Sequence, residues 1–355
     1  MGTRTRARRY RLLIFPLTTL VAALLAAGCG GPATGGGDAA GGLTAVRFGS
    51  VGGLTDAGLY LADERGYFEE AGVEVTFERM DSGPALTNAI ATGQLDVAGI
   101  SVTPGLYSAF TQNIDMQIVG DKQSLREGFS ATRLVASPDL VGETTEETLE
   151  NLRGRTIAVS AAASAAHLLL NDLLEAYGMS LADVEVTELS YANMSGALSS
   201  GAIDGAVMLE PFLAQALESG DAELASDLLE VVPPEGITLV PLVYGQEFID
   251  DAEAAQGFMD AYLRGVRDYN GAFGAGEPDP DVVELIAERA DVSPELVANA
   301  SPGGLDPDQR VNVDYLSHLQ DFFVEQDLLR ERIDVADMVD DSFAEEAAAA
   351  LDGAA

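Results

Sequence analysis

"NAIATGQLDVAGIS" (residues 88–101) and "GALSSGAIDGAVML" (196–209) decide how this chain folds. Each reads as a helix end, a glycine stop, one residue, an apolar–Asp pair and then an apolar strand. Gly93 aligns with Gly201, Leu95 with Ile203, Asp96 with Asp204 and Ala98 with Ala206. Glycine at such a stop adopts the left-handed conformation that closes a helix. The aspartates fall where strands begin, away from the strands' carboxyl ends, so their role is structural. The pair forms a faint internal repeat and predicts two similar α/β lobes.

The pattern extends in both directions. From Val46 onward, "VRFG", "VEVTF", "LDVAGIS" and "DMQIVG" are short strands alternating with helices. After the acidic link "GETTEETLENLRG" (142–154) a second series runs "TIAVS", a helix from Ser164 to Tyr177, "VEVTEL", a helix ending at Gly201, "IDGAVML" and a helix from Pro211. Such alternation implies right-handed crossovers and mostly parallel sheets. One more strand, "ITLVPLVYG", follows Pro233-Pro234. Helices are expected over 251–273, 279–290, 307–328 and from 334. The alanine-rich end, 346–355, is expected to be disordered.

The amino-terminal part is of a different kind. Arg4, Arg6, Arg8, Arg9 and Arg11 precede an uncharged apolar run, Leu12–Ala27, which is short for a bilayer span of ~20 residues. A basic start, a short apolar run and small residues describe an export signal over 1–28 rather than a membrane anchor. Leu25-Ala26-Ala27-Gly28-Cys29 resembles the prokaryotic lipobox, and "ARRYRLL" resembles a twin-arginine signal. Cys29 is the chain's single cysteine, so it has no internal disulfide partner. Lipid attachment there, followed by a glycine-rich tether over 29–44, accounts for both features and predicts the outer face of the cell membrane.

Removing 1–28 takes away five of the 19 basic residues and none of the 58 acidic ones, leaving a net charge of −44. Self-repulsion of that size destabilises a compact chain in dilute buffer. At ~1 M salt the Debye length is only ~3 Å and the repulsion is screened. The composition is that of a halophilic, acidic surface, and it argues against nucleic-acid binding. Lys122 is the only lysine.

In open parallel sheets, ligands bind beyond the carboxyl ends of strands, where helices begin. Several such junctions are rich in small and hydroxyl residues and carry proline at the first helical position, as in "SVGGLTD" (50–56), "DSGP" (81–84), "SVTP" (101–104) and "SAAAS" (160–164). Free helix N–H groups beside Ser or Thr hydroxyls hold anions or polar oxygens; each hydroxyl taken singly reads equally well as a helix cap. His167 and His318 lie in helical stretches without metal-ligand spacing. No nucleophile elbow or phosphate loop is present, and no cofactor motif is found.

At this point four segments in register carry a resemblance. "GYFEEAGVEVTFE" (66–78), "ALTNAIATGQLDVAGIS" (85–101), "NLRGRTIAVS" (151–160) and "GALSSGAIDGAVMLEPF" (196–212) resemble the nitrate/sulfonate/taurine class of ABC-transporter substrate-binding proteins, whose relatives include thiamine-precursor binders. "AYLRGVRDYNGAF" (261–273) and "VDDSF" (339–343) fit a branch of it. The resemblance implies the two-lobed type II periplasmic-binding fold, each lobe a mostly parallel sheet flanked by helices, with a ligand cleft between them. Lobe 1 is then expected over 45–136 and 239–345, and lobe 2 over 137–238. By position the ligand-facing residues are Leu54, Thr55, Asp56, Ser82, Gly83, Ser101, Thr103, Ser160, Ser164, Tyr191, Asn193 and Glu210. "SAAAS" is poorer in glycine and hydroxyls than in many relatives, and lobe 2 has no tryptophan. The implied role is non-catalytic: a monomer captures a small polar molecule, such as a sulfonate, nitrate, an amine or a pyrimidine-like compound, and passes it to an ABC permease and its ATPase. A ligand-sensing surface receptor and a secreted hydrolase are the alternatives.

Overall fold

The computed structural model describes residues 42–354 apart from 81, 113 and 275–277. The signal, Cys29 and most of the tether lie outside that range. Two five-stranded sheets carry the described chain, with orders β2-β1-β3-β10-β4 and β7-β6-β8-β5-β9. The first holds β1 (Thr44–Ser50), β2 (Val73–Arg79), β3 (Val97–Gly99), β4 (Met116–Leu125) and β10 (Ile237–Gly245). The second holds β5 (Thr132–Ala136), β6 (Thr156–Val159), β7 (Glu185–Glu188), β8 (Gly205–Leu209) and β9 (Glu223–Ser226). In each, three strands counted from one edge run parallel and one inner strand lies antiparallel to both its neighbours, β10 between β3 and β4 and β5 between β8 and β9. The helices that place the site are α1 (Ala57–Glu64), α2 (Gly83–Ala91), α3 (Pro104–Thr111), α4 (Ala165–Ala176), α5 (Tyr191–Ser200) and α6 (Phe212–Ser219), followed by α7 (Ala252–Phe273), α8 (Pro280–Ala290), α9 (Pro294–Asn299), α10 (Val313–Glu325) and α11 (Ser342–Ala354).

The repeat has a physical counterpart. Asp96 Oδ2 accepts the N–H of Arg47 at 2.7 Å, and Asp204 Oδ2 accepts the N–H of Thr156 at 3.0 Å. Each carboxylate thus pins the start of its strand to the neighbouring parallel strand. Gly93 and Gly201 have φ of +64° and +69°, the left-handed closure expected of them. The two aspartates are structural in both lobes.

Three expectations need correction. The strands at 132–136 and 223–226 were not foreseen, and β5 belongs to the second sheet, so the lobe boundary falls before residue 132 rather than after 136. The reason is its pairing: directly after crossing, the chain lies antiparallel against β8, from Thr132 opposite Leu209 to Ala136 opposite Gly205. The helix expected from 307 starts at Val313, because Gln309 takes φ of +60° and holds the chain in a turn. Residues 346–354 are helical rather than disordered. Ala344 and Ala347 are buried against the core that contains α7, and alanine is both the best helix former and small enough for that approach.

Helix α10 braces the lobes. Its Leu316 carbonyl accepts the Tyr107 hydroxyl of α3 at 2.6 Å. On its other side Phe322 meets the His167 ring of α4 edge-on at 5.1 Å, and His318 hydrogen-bonds Asp172 at 3.1 Å. His167 is therefore a buried packing residue, and His318 a surface partner of Asp172. One apolar cluster runs from Leu86 and Tyr107 in the first lobe through α10 to Leu168 and Leu174 in the second.

Candidate functional site

A cavity of about 540 Å³ lies between the sheets and draws its lining from both lobes. Eight of the twelve expected residues line it: Leu54, Thr55, Ser101, Thr103, Ser160, Ser164, Tyr191 and Glu210. Four do not. Ser82 and Gly83 form the start of α2, where the Ser82 hydroxyl only caps the Ala85 N–H at 3.4 Å. Asn193 is exposed on α5 and its amide donates to Ser190 Oγ at 2.8 Å. Asp56 is fully buried behind the lining.

The local sequence explains the helix ends. Thr103 and Ser164 are extended caps whose hydroxyls accept the N–H groups of Leu106 and His167, each at 3.4 Å. Pro104 starts α3 without losing a hydrogen bond. Capping satisfies one N–H per helix and leaves others in the first turn unpartnered by the helix. Ala165 and Ala166, in the first turn of α4, line the cavity. Both readings of these hydroxyls therefore hold at once: they cap their helices, and the helix ends they fix border the cavity.

Two cationic residues line the same space, Lys122 and Arg79. Lys122 lies on β4 and its side chain is 2% exposed. Its Nζ sits 2.6 Å from Asp56 Oδ1, 3.0 Å from Thr55 Oγ1 and 3.3 Å from the Thr55 carbonyl. Asp56 Oδ2 in turn accepts the Ser50 hydroxyl at 2.5 Å and the Tyr60 hydroxyl at 3.3 Å. Burial, then Asp56, pushes the Tyr60 phenol well above its ordinary range, so it stays a donor. The lysine passes over Gly99, where a Cβ would come within 2.0 Å of Lys122 Cδ; only glycine leaves that path open. Its ammonium donates twice to Thr55 and is ion-paired with Asp56, so Lys122 acts by fixing the loop at 55–56 and by its field. Arg79, at the carboxyl end of β2, is exposed and has no ion-pair partner among the described residues.

Glu210 is the acidic side chain in the lining. Its Oε2 accepts the Ala214 N–H of α6 at 3.0 Å, and its Oε1 accepts the Ser301 N–H at 2.9 Å. Ser301 belongs to the segment that follows α9 and runs beside β4 at Gly304, so this carboxylate ties the second lobe to the first. Desolvation pushes its pKa up, opposed by the two amides. Glu210 is thus a helix cap and an interlobe tie as well as part of the cavity lining.

Sequence reasoning missed Lys122 and Arg79 as site residues. A visible signal existed for the first: the chain's only lysine stands in "IVGDKQSL", a strand that is buried from Ile118 to Leu125. A charged group there has to be paired. Replacing Lys122 by Met should leave Asp56 buried without its cation and cost about 3–5 kcal/mol of stability, read as denaturant midpoint. The double variant Asp56→Leu/Lys122→Met should recover most of that loss; a single variant as stable as the parent would contradict the pairing.

Comparison with known proteins follows the same geometry. A Bacillus subtilis (strain 168) protein named for binding aliphatic sulfonates is 25% identical over 340 residues, 93% of this chain and 96% of the relative. The crystal structure of the periplasmic aliphatic sulphonate binding protein SsuA from Escherichia coli superposes with a TM-score of 0.66 at 18% identity, covering 83% of this chain and 91% of the other. The desulfurization enzyme DSZB shares the fold at a TM-score of 0.58 and 17% identity, over 87% of this chain and 99% of its own. Residues 55–270, more than half of the sequence, match the family described as NMT1/THI5 like. The chain belongs to the NMT1/THI5-like family.

Proposed function

We propose that this protein is an extracytoplasmic receptor that captures a small organic anion in the interlobe cavity and delivers it to an ABC importer, without chemical change. One observation carries the reading: a cavity lined by both lobes is bordered by two helix starts and by an arginine without an ion-pair partner among the described residues. Helix N-termini and a guanidinium both favour anions. The relatives named for sulfonate binding support the same choice of charge. The acidic side chain in the lining, Glu210, has both oxygens engaged by backbone amides, which fits a structural part better than acid–base chemistry.

The receptor works as a monomer held at the outer membrane face by lipid on Cys29, and the acidic surface adapts it to concentrated salt. Intact mass of membrane-extracted protein checks the anchor: it should show Cys29 as the lipid-bearing amino terminus, and an unmodified full-length chain would refute it. Ligand closes the lobes by binding the closed state better than the open one.

Melting temperature measured across salt and ligand tests the rest. The ligand-free midpoint should climb from low to molar salt. Added alkanesulfonate at a hundredfold excess over its dissociation constant should stabilise by about 2.7 kcal/mol, roughly 3–8 °C for a chain of this size, and should be recovered unchanged. Turnover of a stabilising compound, as the fold shared with DSZB permits, would overturn the receptor reading in favour of an enzyme.

A further inference from the structure

The two walls of the cavity differ in chemistry. The first lobe supplies both cations, Arg79 and Lys122, set among apolar residues such as Leu54, Val102 and Leu239. The second supplies both aromatic rings, Tyr191 and Phe212, beside the alanines at the start of α4, with Ser160, Ser164 and Glu210 as its polar groups. The hydroxyls on that side are partly used already, since Ser164 Oγ donates to the Ala161 carbonyl at 2.6 Å. The rings of Tyr191 and Phe212 stack with centroids 6.1 Å apart and planes 16° from parallel. They stand at the first turns of α5 and α6, so two separate helices bring an aromatic pair to the cavity wall.

Size points the same way. A volume of about 540 Å³ holds roughly 18 waters at ~30 Å³ each. It falls in the range of pockets that enclose ligands of drug size.

Resting on the anion-receptor reading, we infer that the ligand is an amphiphilic anion: a sulfonate or carboxylate head held on the first lobe near Arg79, and a flat aromatic or alicyclic body laid on Tyr191 and Phe212 of the second. These two rings set specificity. A ligand that touches one wall with its charge and the other with its body also bridges the lobes, so body contacts strengthen closure.

Isothermal titration of the purified full chain in molar salt tests this with 2-naphthalenesulfonate, methanesulfonate, cyclohexanecarboxylate, taurine and nitrate. Naphthalenesulfonate should bind at least tenfold tighter than methanesulfonate, equivalent to about 1.4 kcal/mol, and cyclohexanecarboxylate should fall between them. Tyr191→Ala and Phe212→Ala should each cut that ratio severalfold while moving methanesulfonate less than twofold. Melting curves accompany each variant; where an alanine form is unfolded, Tyr191→Leu and Phe212→Leu replace it and should cut the ratio in the same sense. Taurine or nitrate binding as tightly as naphthalenesulfonate, or a ratio unchanged in folded variants, overturns the amphiphile inference and leaves the receptor reading standing. Failure of every anion to bind the parent protein overturns both.

Discussion

A lysine buried in an acidic protein sets the terms for the rest of the first lobe. Lys122 has left water, and burial of an ammonium costs several kcal/mol unless geometry and hydrogen bonding compensate. The compensation comes from several groups: Asp56 supplies the opposite charge, Thr55 supplies two further oxygens, and Ser50 and Tyr60 donate to the far oxygen of the carboxylate. This arrangement requires Gly99 on β3, because any side chain there would occupy the lysine's path. It also fixes where α1 begins relative to β4, and so the shape of the cavity floor.

The distribution of the other cations gives Arg79 its meaning. Of the 14 basic residues after the export signal, 11 lie in ion pairs with carboxylates. Most of these pairs are at least partly exposed, where each is worth little for stability and is weakened by salt. Among the described residues Arg79, Arg133 and Arg330 have no such partner. Of these three, Arg79 lines the cavity. In a molecule with so many acids, a cation left without a carboxylate beside a cleft is available to an incoming anion.

The two-lobed plan was legible because its signals are local. The glycine stops act within one helix–strand unit, and the helix end, glycine and apolar–Asp pair recur together in a window of 14 residues, although the aspartates' partners lie on the neighbouring strand. The helix caps Thr103 and Ser164 were legible for the same reason. The unread features depend on partners far along the chain. β5 is recognisable only by its pairing with β8, some seventy residues away. The interlobe tie made by Glu210 has no local signal, because its partner Ser301 lies some ninety residues away. Lys122 stood out in composition, but its partner Asp56 lies on the other side of two strands and four helices. The terminal helix was missed because alanine-rich ends read as low in information until the core they cover is known.

The account stands on a division of labour between the walls, with charge read by the first lobe and shape by the second. A crystal structure of the protein with 2-naphthalenesulfonate tests that division most directly. The account predicts the sulfonate within hydrogen-bond distance of Arg79 or the Thr103–Leu106 turn, with the rings against Tyr191 and Phe212. A sulfonate seated on the second lobe, or a ligand bound outside the cavity, would contradict it.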